Sequence, residues 1–200
     1  MNSNDFTNPF DIQAPTLEGY WLTLCDELTR ACDNLDHPWS LPVLATQGFQ
    51  IPKQRILVLR DFESEPFLLT MYTDRRSGKV AEIEESPQVS WLFYHPHWRV
   101  QLGLRGIVRV HRDGNLVDAA WERTRPTSRV PYRSPISPGA VLDTPDENIS
   151  TPNEEQGRRN FCVLITEIHF VEVFLLRLQG NLRAIWESHG GPFQGTWRQP

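Results

Sequence analysis

Cysteine is scarce in this 200-residue chain: Cys25, Cys32 and Cys162 are the only three. An odd number with no C-x-x-C pair supports neither a disulfide framework nor a zinc site, and a reducing cytoplasm is the simplest setting. A basic excess is missing too. Lys and Arg number 20 against 25 Asp and Glu, a formal charge of −5, which argues against a protein that wraps nucleic acid. No apolar run reaches the roughly 20 residues that a bilayer crossing needs, so no membrane partner is expected. The opening "MNSNDFTNPF" has neither a basic start nor an apolar h-region and does not read as a secretory signal. No internal repeat is visible. What is present suits a globular chain: 39% hydrophobic and 22% charged residues, over a length that supports one domain, 1–200, with a sizeable core. Residues 1–15 read as a polar, proline-containing arm.

The periodicities predict mostly strands. Leu17, Trp21, Leu24, Leu28 and Ala31 recur at helical spacing, with Pro15 just ahead of them. "LPVLATQGF" reads as a strand, and "RILVLRDF" as a continuous apolar strand over Ile56–Leu59 of the kind buried on both faces. "FLLTMYT" is a third strand, and Val80 and Ile83 begin a short helix that stops before Pro87. "QVSWLFYH" is a fourth. In "VQLGLRGIVRV", Val100, Leu102, Leu104, Val108 and Val110 share one face while Gln101, Arg105 and Arg109 share the other. A second short helix is expected over 114–124. A Pro- and Ser-rich stretch follows, with 134–157 read as a long loop or lid. "FCVLITEIHFVEVFLLRL" and "LRAIWES" close the chain around a Gln179-Gly180-Asn181 turn. Strands dominate and do not alternate with long helices, which points to a mainly β, antiparallel barrel or sandwich with a few flanking helices.

One corner stands out. "MYTDRRSGKVAEI" (71–83) crowds Asp74, Arg75, Arg76, Ser77, Gly78 and Lys79 between a strand and a helix. A helix start offers free N–H groups and a partial positive charge. Gly78 admits a close ligand, and the arginines and Lys79 bring countercharge. On these residues alone, a phosphate seat and an ordinary capped turn with solvated charges both stand.

Three ordered pieces carry a resemblance: P-x-x-R-I-L-V-L-R (Pro52 to Arg60), Y-T-D-x-R-S-x-K (Tyr72 to Lys79), and Gln101 in "VQLGLRG". Together they resemble the pyridoxamine 5′-phosphate oxidase-like FMN-binding split barrels, and most closely the branch of FMN-binding, pyridoxamine-phosphate-oxidase-related proteins. The resemblance implies a six-stranded antiparallel split β-barrel and a homodimer with FMN at the subunit interface. It implies an FMN-dependent oxidoreductase moving a hydride between a small substrate and the flavin. It casts Arg55 and Lys79 on the FMN phosphate, with Arg76 and Ser77 in the same loop. Ile56, Leu57 and Val58 would pass the flavin ring. Arg60, Tyr72, Thr73 and Gln101 complete the cofactor set, and Trp121, Arg125 and Arg183 are the substrate-side candidates.

The pattern also departs from the oxidases proper. Gly78 stands where they carry arginine, Trp121 where they carry tyrosine and Arg129 where they carry serine. Phe174 stands roughly where they place a flavin-side tryptophan, and Arg183 alone survives from their C-terminal substrate motif. These losses keep two alternatives open: a non-catalytic flavin-binding or sensor protein, and a haem-binding split barrel using one of His95, His97, His111 or His169. His95-Pro96-His97 reads as a loop at a strand end rather than a metal site. Arg123, Arg125, Arg129 and Arg133 read as a substrate-phosphate site or subunit contact rather than an RNA surface. Cys162 reads as inert core, and Trp186 and Trp197 as core or dimer contacts.

Overall fold

The computed structural model describes residues 8–11, 14–48, 50–144 and 153–200. The chain begins with helix α1 (Leu17–Asp33), whose N-cap Thr16 accepts the Gly19 N–H at 3.0 Å. The expected stripe buries Leu24, Leu28 and Ala31, joined by Tyr20. Phe10, ahead of the helix, is fully buried against Tyr20, Trp39 and Trp98. The Tyr20 hydroxyl donates to its carbonyl at 2.7 Å, which pins this segment to the core.

Nine strands follow in a single antiparallel sheet. They are β1 (Val43–Gln47), β2 (Pro52–Ile56), β3 (Leu59–Ser64), β4 (Phe67–Asp74), β5 (Gln88–His95), β6 (Val100–His111), β7 (Phe161–Leu175), β8 (Leu182–Glu187) and β9 (Gln194–Arg198). Helix α2 (Gly78–Glu85) joins β4 to β5. Between β6 and β7 lie α3 (Asn115–Arg123), α4 (Pro126–Arg129), a 3-10 turn (Val130–Arg133) and α5 (Glu154–Asn160). Of the expected 134–157 loop, residues 145–152 lie outside the described set, while 153–157 enter α5 with its Asn153 cap.

The strand order is β2-β1-β5-β6-β7-β4-β3, with β8 added to β7 and β9 to β8. The expectation of a six-stranded barrel is therefore corrected: the sheet has nine strands and is not closed. Its two path ends, β2 and β3, are sequence neighbours separated by Leu57 and Val58 alone. "RILVL" is thus not one strand buried on both faces. It is the covalent bridge between two sheet edges that form no ladder with each other, and Ile56 on it is 61% exposed. The Leu57 N–H leaves the ladder to reach the Pro42 carbonyl at 3.0 Å.

Strand β7 organises the rest. Its first half pairs with β4, its second half with β8, and β6 runs along nearly its whole length. A bulge at His169 lets Arg105 pair with Phe170 and Gly106 with Ile168. The bulge inverts the alternation. Leu164, Thr166 and Ile168 face the core before it, and Val171, Val173 and Leu175 after it. At the β7 start both faces are buried, because Phe161 and Val163 pack under α3 with Val117, Ala120 and Trp121.

Gly106 is required by this bulge. A Cβ there would lie 2.3 Å from the Glu167 carbonyl oxygen and 2.9 Å from Thr166 Cγ2. Gly106→Ala should therefore lower stability by about 1–3 kcal/mol, as overpacking does. Ile107→Ala, next door on the exposed face, should cost well under that in the same thermal melts.

Candidate functional site

The corner forms where β4 ends and α2 begins. Asp74 is buried and clamps Arg76: its Oδ1 accepts from the Arg76 backbone N–H at 2.8 Å, and its Oδ2 from the guanidinium at 2.7 Å. Arg76 also donates to the Ser134 carbonyl at 3.0 Å, and Arg75 to the Arg159 carbonyl at 3.1 Å. Both arginines thus tie the corner to the segment before β7, and Asp74 offsets the charge of Arg76. Ser77 is the N-cap of α2, but no side chain caps the helix. Its hydroxyl donates instead to the Asp74 carbonyl at 2.7 Å, leaving the first-turn N–H groups without that partner.

Lys79 completes a small tripod, its Nζ lying 3.1 Å from both Thr73 Oγ1 and Ser77 Oγ. Burial, then the nearby positive charge of Arg55, lower the pKa of this ammonium. An anion arriving here would offset both effects. One turn along the same helix face stands Glu82, whose carboxylate gathers Thr46 (2.5 Å), Lys53 (2.8 Å) and Arg55 (2.7 Å). Burial alone would raise this carboxyl. The hydrogen bonds from Lys53, Thr46 and Arg55, with the Arg55 charge, more than reverse that and hold it at about 2. Arg55 is therefore aimed at the corner from β2 by a buried carboxylate, and its NH1 also donates to Thr46 at 2.5 Å.

Consecutive residues on a strand face opposite ways. Thr73 turns to Lys79, while Tyr72 turns to the other side, against the Phe161 ring. There a cavity of about 230 Å³ is lined by Arg60, Tyr72, Arg123 and Arg125, and also by Asp33 and Asp61. The Arg60 guanidinium lies over the Tyr72 ring at 5.7 Å, and among the described residues its buried Nε has no hydrogen-bond partner. Burial raises the Tyr72 phenol although Arg123 and Arg60 oppose it, so it stays protonated near neutrality. The three guanidiniums outnumber the two carboxylates, so this cavity can accept an anion beside a neutral phenol. Trp121 does not line this cavity. It is buried against Phe161 and Tyr132, with the Arg129 guanidinium over its ring at 5.0 Å.

Gln101 and Arg183 lie elsewhere, in one cross-strand row of Tyr94, Gln101, Phe174 and Arg183 over β5, β6, β7 and β8. Thr46 at the corner faces Val89, five residues along β5 from Tyr94, about 17 Å at strand rise. Within one chain Gln101 does not reach the corner. Arg183 donates to Glu172 at 2.5 Å.

Other sequence candidates resolve as packing. His95 is buried, stacks on Trp98 at 3.6 Å and accepts the Trp98 N–H. Burial and the neighbouring His37 and His97 push its pKa down to about 4. No group of His, Cys, Asp or Glu among the described residues is arranged to hold a metal ion. Burial pushes the three thiols up, Cys25 to about 11 and Cys32 and Cys162 to about 12, so they stay unreactive. No helix among the described residues is long and apolar enough to cross a membrane. Sequence reasoning missed Thr46, Lys53 and Glu82. The three-residue step from Lys79 to Glu82 on a helix was the one available signal.

Comparison with known proteins gives this geometry a context. Residues 21–112 match the family model of the pyridoxamine 5′-phosphate oxidase FMN-binding domain. None of the curated proteins searched matches the sequence. Among solved structures, a pyridoxamine 5′-phosphate oxidase-related, FMN binding protein from Nostoc punctiforme superposes with a TM-score of 0.75 at 21% identity, covering 94% of this chain and all of that one. PhzG from Burkholderia lata, solved with tetrahydrophenazine-1-carboxylic acid, gives 0.68 at 18% identity, covering 96% of this chain and all of that one. At these identities the structural likeness speaks for the fold.

The Glu82 cluster has a pH signature. Its folded pKa is depressed from the ordinary 4.5 to about 2, so its stabilisation is complete above pH 4.5 and is lost as pH falls towards 2. Melting temperatures of wild type and Glu82→Gln should differ at neutral pH and converge across that window.

Proposed function

We propose, on the premise that residues 21–112 belong to the pyridoxamine 5′-phosphate oxidase FMN-binding domain family, that this chain is an FMN-dependent oxidoreductase acting on a small anionic substrate. FMN is the cofactor of the matched domain. The observation that carries the reading is the polar tripod of Thr73, Ser77 and Lys79 at an uncapped helix start, with Arg55 held beside it by Glu82.

These residues fit a phosphate by their donor chemistry. Lys79 and Arg55 supply charge, Thr73 supplies a hydroxyl and the first turn of α2 supplies N–H groups, while Ser77, its own hydroxyl donated to the Asp74 carbonyl, positions Lys79. Gly78 leaves the approach open, since a Cβ there would come no closer than 3.7 Å to Glu82. Arg76 acts indirectly, through its Asp74 clamp, by fixing the loop. Leu57 and Val58, on the bridge between β2 and β3, leave backbone outside the ladder beside Arg55 for the flavin ring. When bound, FMN supplies hydride acceptance at its N5. The protein's part is to bind, orient and shield.

Arg60, Arg123 and Arg125 would hold the substrate's anionic group, with Tyr72 as a neutral donor. Arg60 Nε, buried and unpartnered among the described residues, supports this assignment. Trp121 would act from behind, packing the wall that carries Arg129. The row of Tyr94, Gln101, Phe174 and Arg183 would meet the flavin of a second copy. Leu92, Tyr94 and Ile107 expose 42%, 47% and 43% of their surface on this side of the sheet, as a homodimer face would.

Two measurements test this reading. Purified protein mixed with FMN should show retained flavin absorbance after desalting. Arg55→Ala/Lys79→Ala should weaken retention at least about a hundredfold, from two charge-assisted bonds at about 1.5 kcal/mol each. Failure of the wild type to retain FMN would remove the proposal. Anaerobic bleaching of the bound flavin should follow addition of pyridoxamine 5′-phosphate, other anionic amines or a reduced nicotinamide. Arg125→Ala should raise KM for the active anion about tenfold and leave FMN retention unchanged. No bleaching by any member of the panel would leave a flavin-binding protein without this catalysis.

A further inference from the structure

The largest of the described cavities lies away from both sites. It has a volume of about 720 Å³, between the start of α1, the β3–β4 turn and the β8–β9 hairpin. Its walls are aromatic. Trp21 stands at the centre, with ring centroids 5.4 Å from Phe67, 5.6 Å from Trp186 and 4.9 Å from Phe193. All these pairs are tilted, and Trp21 and Phe193 are only partly buried, so they are the rings open to the space. The hairpin wall is built without bulk: Gly190, Gly191 and Gly195 line it, and a Cβ at Gly195 would come within 2.6 Å of Trp186 Nε1.

Among the described residues its charge has one sign: Glu18, Glu65 and Glu167 line the cavity, and no Lys, Arg or His does. Glu18 and Glu65 have no ion pair among the described residues, and Glu167 meets Arg109 only at 3.5 Å, both side chains being largely exposed. Aromatic faces present negative charge to a bound group, and a desolvated cation gains most from them. An apolar cavity of this size with a few polar groups at its rim is what a small-molecule site needs. An anion would face three carboxylates and no donor of charge.

We propose that this cavity binds a small organic cation, an ammonium or quaternary ammonium carried on an apolar body, with the cationic centre at Trp21 and the carboxylates. The apolar body lies along Phe67, Phe193 and Trp186. The site is separate from the proposed FMN corner: Phe67 lines it at the start of β4, and the corner stands at the other end of that strand, at the β4–α2 junction.

The test compares phenyltrimethylammonium with tert-butylbenzene, which has the same shape without the charge. Each is titrated into the full-length protein at low salt, followed by ligand-detected saturation-transfer NMR. The cation should bind at least about tenfold more tightly than the neutral isostere. Glu18→Gln/Glu65→Gln/Glu167→Gln, at exposed positions that leave the core intact, should shrink that preference to below about threefold. Arg55→Ala/Lys79→Ala should leave it unchanged. Equal or tighter binding of tert-butylbenzene would overturn the proposal, as would binding of neither probe. A preference that survives the triple substitution would overturn the role given to the carboxylates.

Discussion

Strand β7 is the constraint on which the remaining architecture depends. A strand has two edges, yet β7 serves three partners by dividing one edge between β4 and β8. The division is possible because the His169 bulge changes the strand's direction and parity midway. Before the bulge β7 is a two-faced strand between the main core and the α3 cluster. After it, β7 is a one-faced strand with a polar and aromatic outer surface. The corner at β4, the arginine cavity behind it and the outer row with Gln101 all take their positions from those two halves.

Charge placement around the corner follows from the same frame. Five charged or polar residues in one turn, Asp74, Arg75, Arg76, Ser77 and Lys79, look interchangeable in the sequence, and the structure gives them distinct jobs. Asp74 and Arg76 neutralise each other and fasten the loop before β7. Glu82 holds Arg55 and Lys53, so that a positive group from β2 stands beside the helix start. Lys79 is left with two hydroxyls and a burial cost that an anion would relieve. What the corner can offer an anion therefore depends on how its charges are paired, more than on how many there are.

Much of the fold was legible. The α1 stripe, the β6 alternation and the short α2 each obey a single period, and a single period survives without knowledge of neighbours. "RILVLRDF" misled because an apolar run looks alike whether it is a doubly buried strand or a bridge between two edges. The strand count misled as well: β8 and β9 add a hairpin to β7, and nothing local states that a strand has a third partner. Of the site residues, Arg55, Thr73, Ser77 and Lys79 meet at one corner, and Arg60, Tyr72 and Arg125 meet at another. Trp121 went into core packing, because its ring is large and its neighbours Phe161 and Tyr132 are apolar.

The sequence by itself determined the mainly antiparallel β class, a short helix that stops before Pro87 and the ordered motifs that resemble an FMN-binding family. Each is built from pieces whose residues lie within one turn or one strand of each other. Tertiary structure decided which charges are spent on one another. Thr46, Lys53 and Glu82 lie up to 36 residues apart, and only the pairing of β1 with β2 beneath α2 brings them together. It also decided that Tyr72 and Thr73, adjacent in the chain, serve different sites, because the pleat turns them to opposite faces of β4. Pairing across distance is a property of the folded sheet, and no local period encodes it.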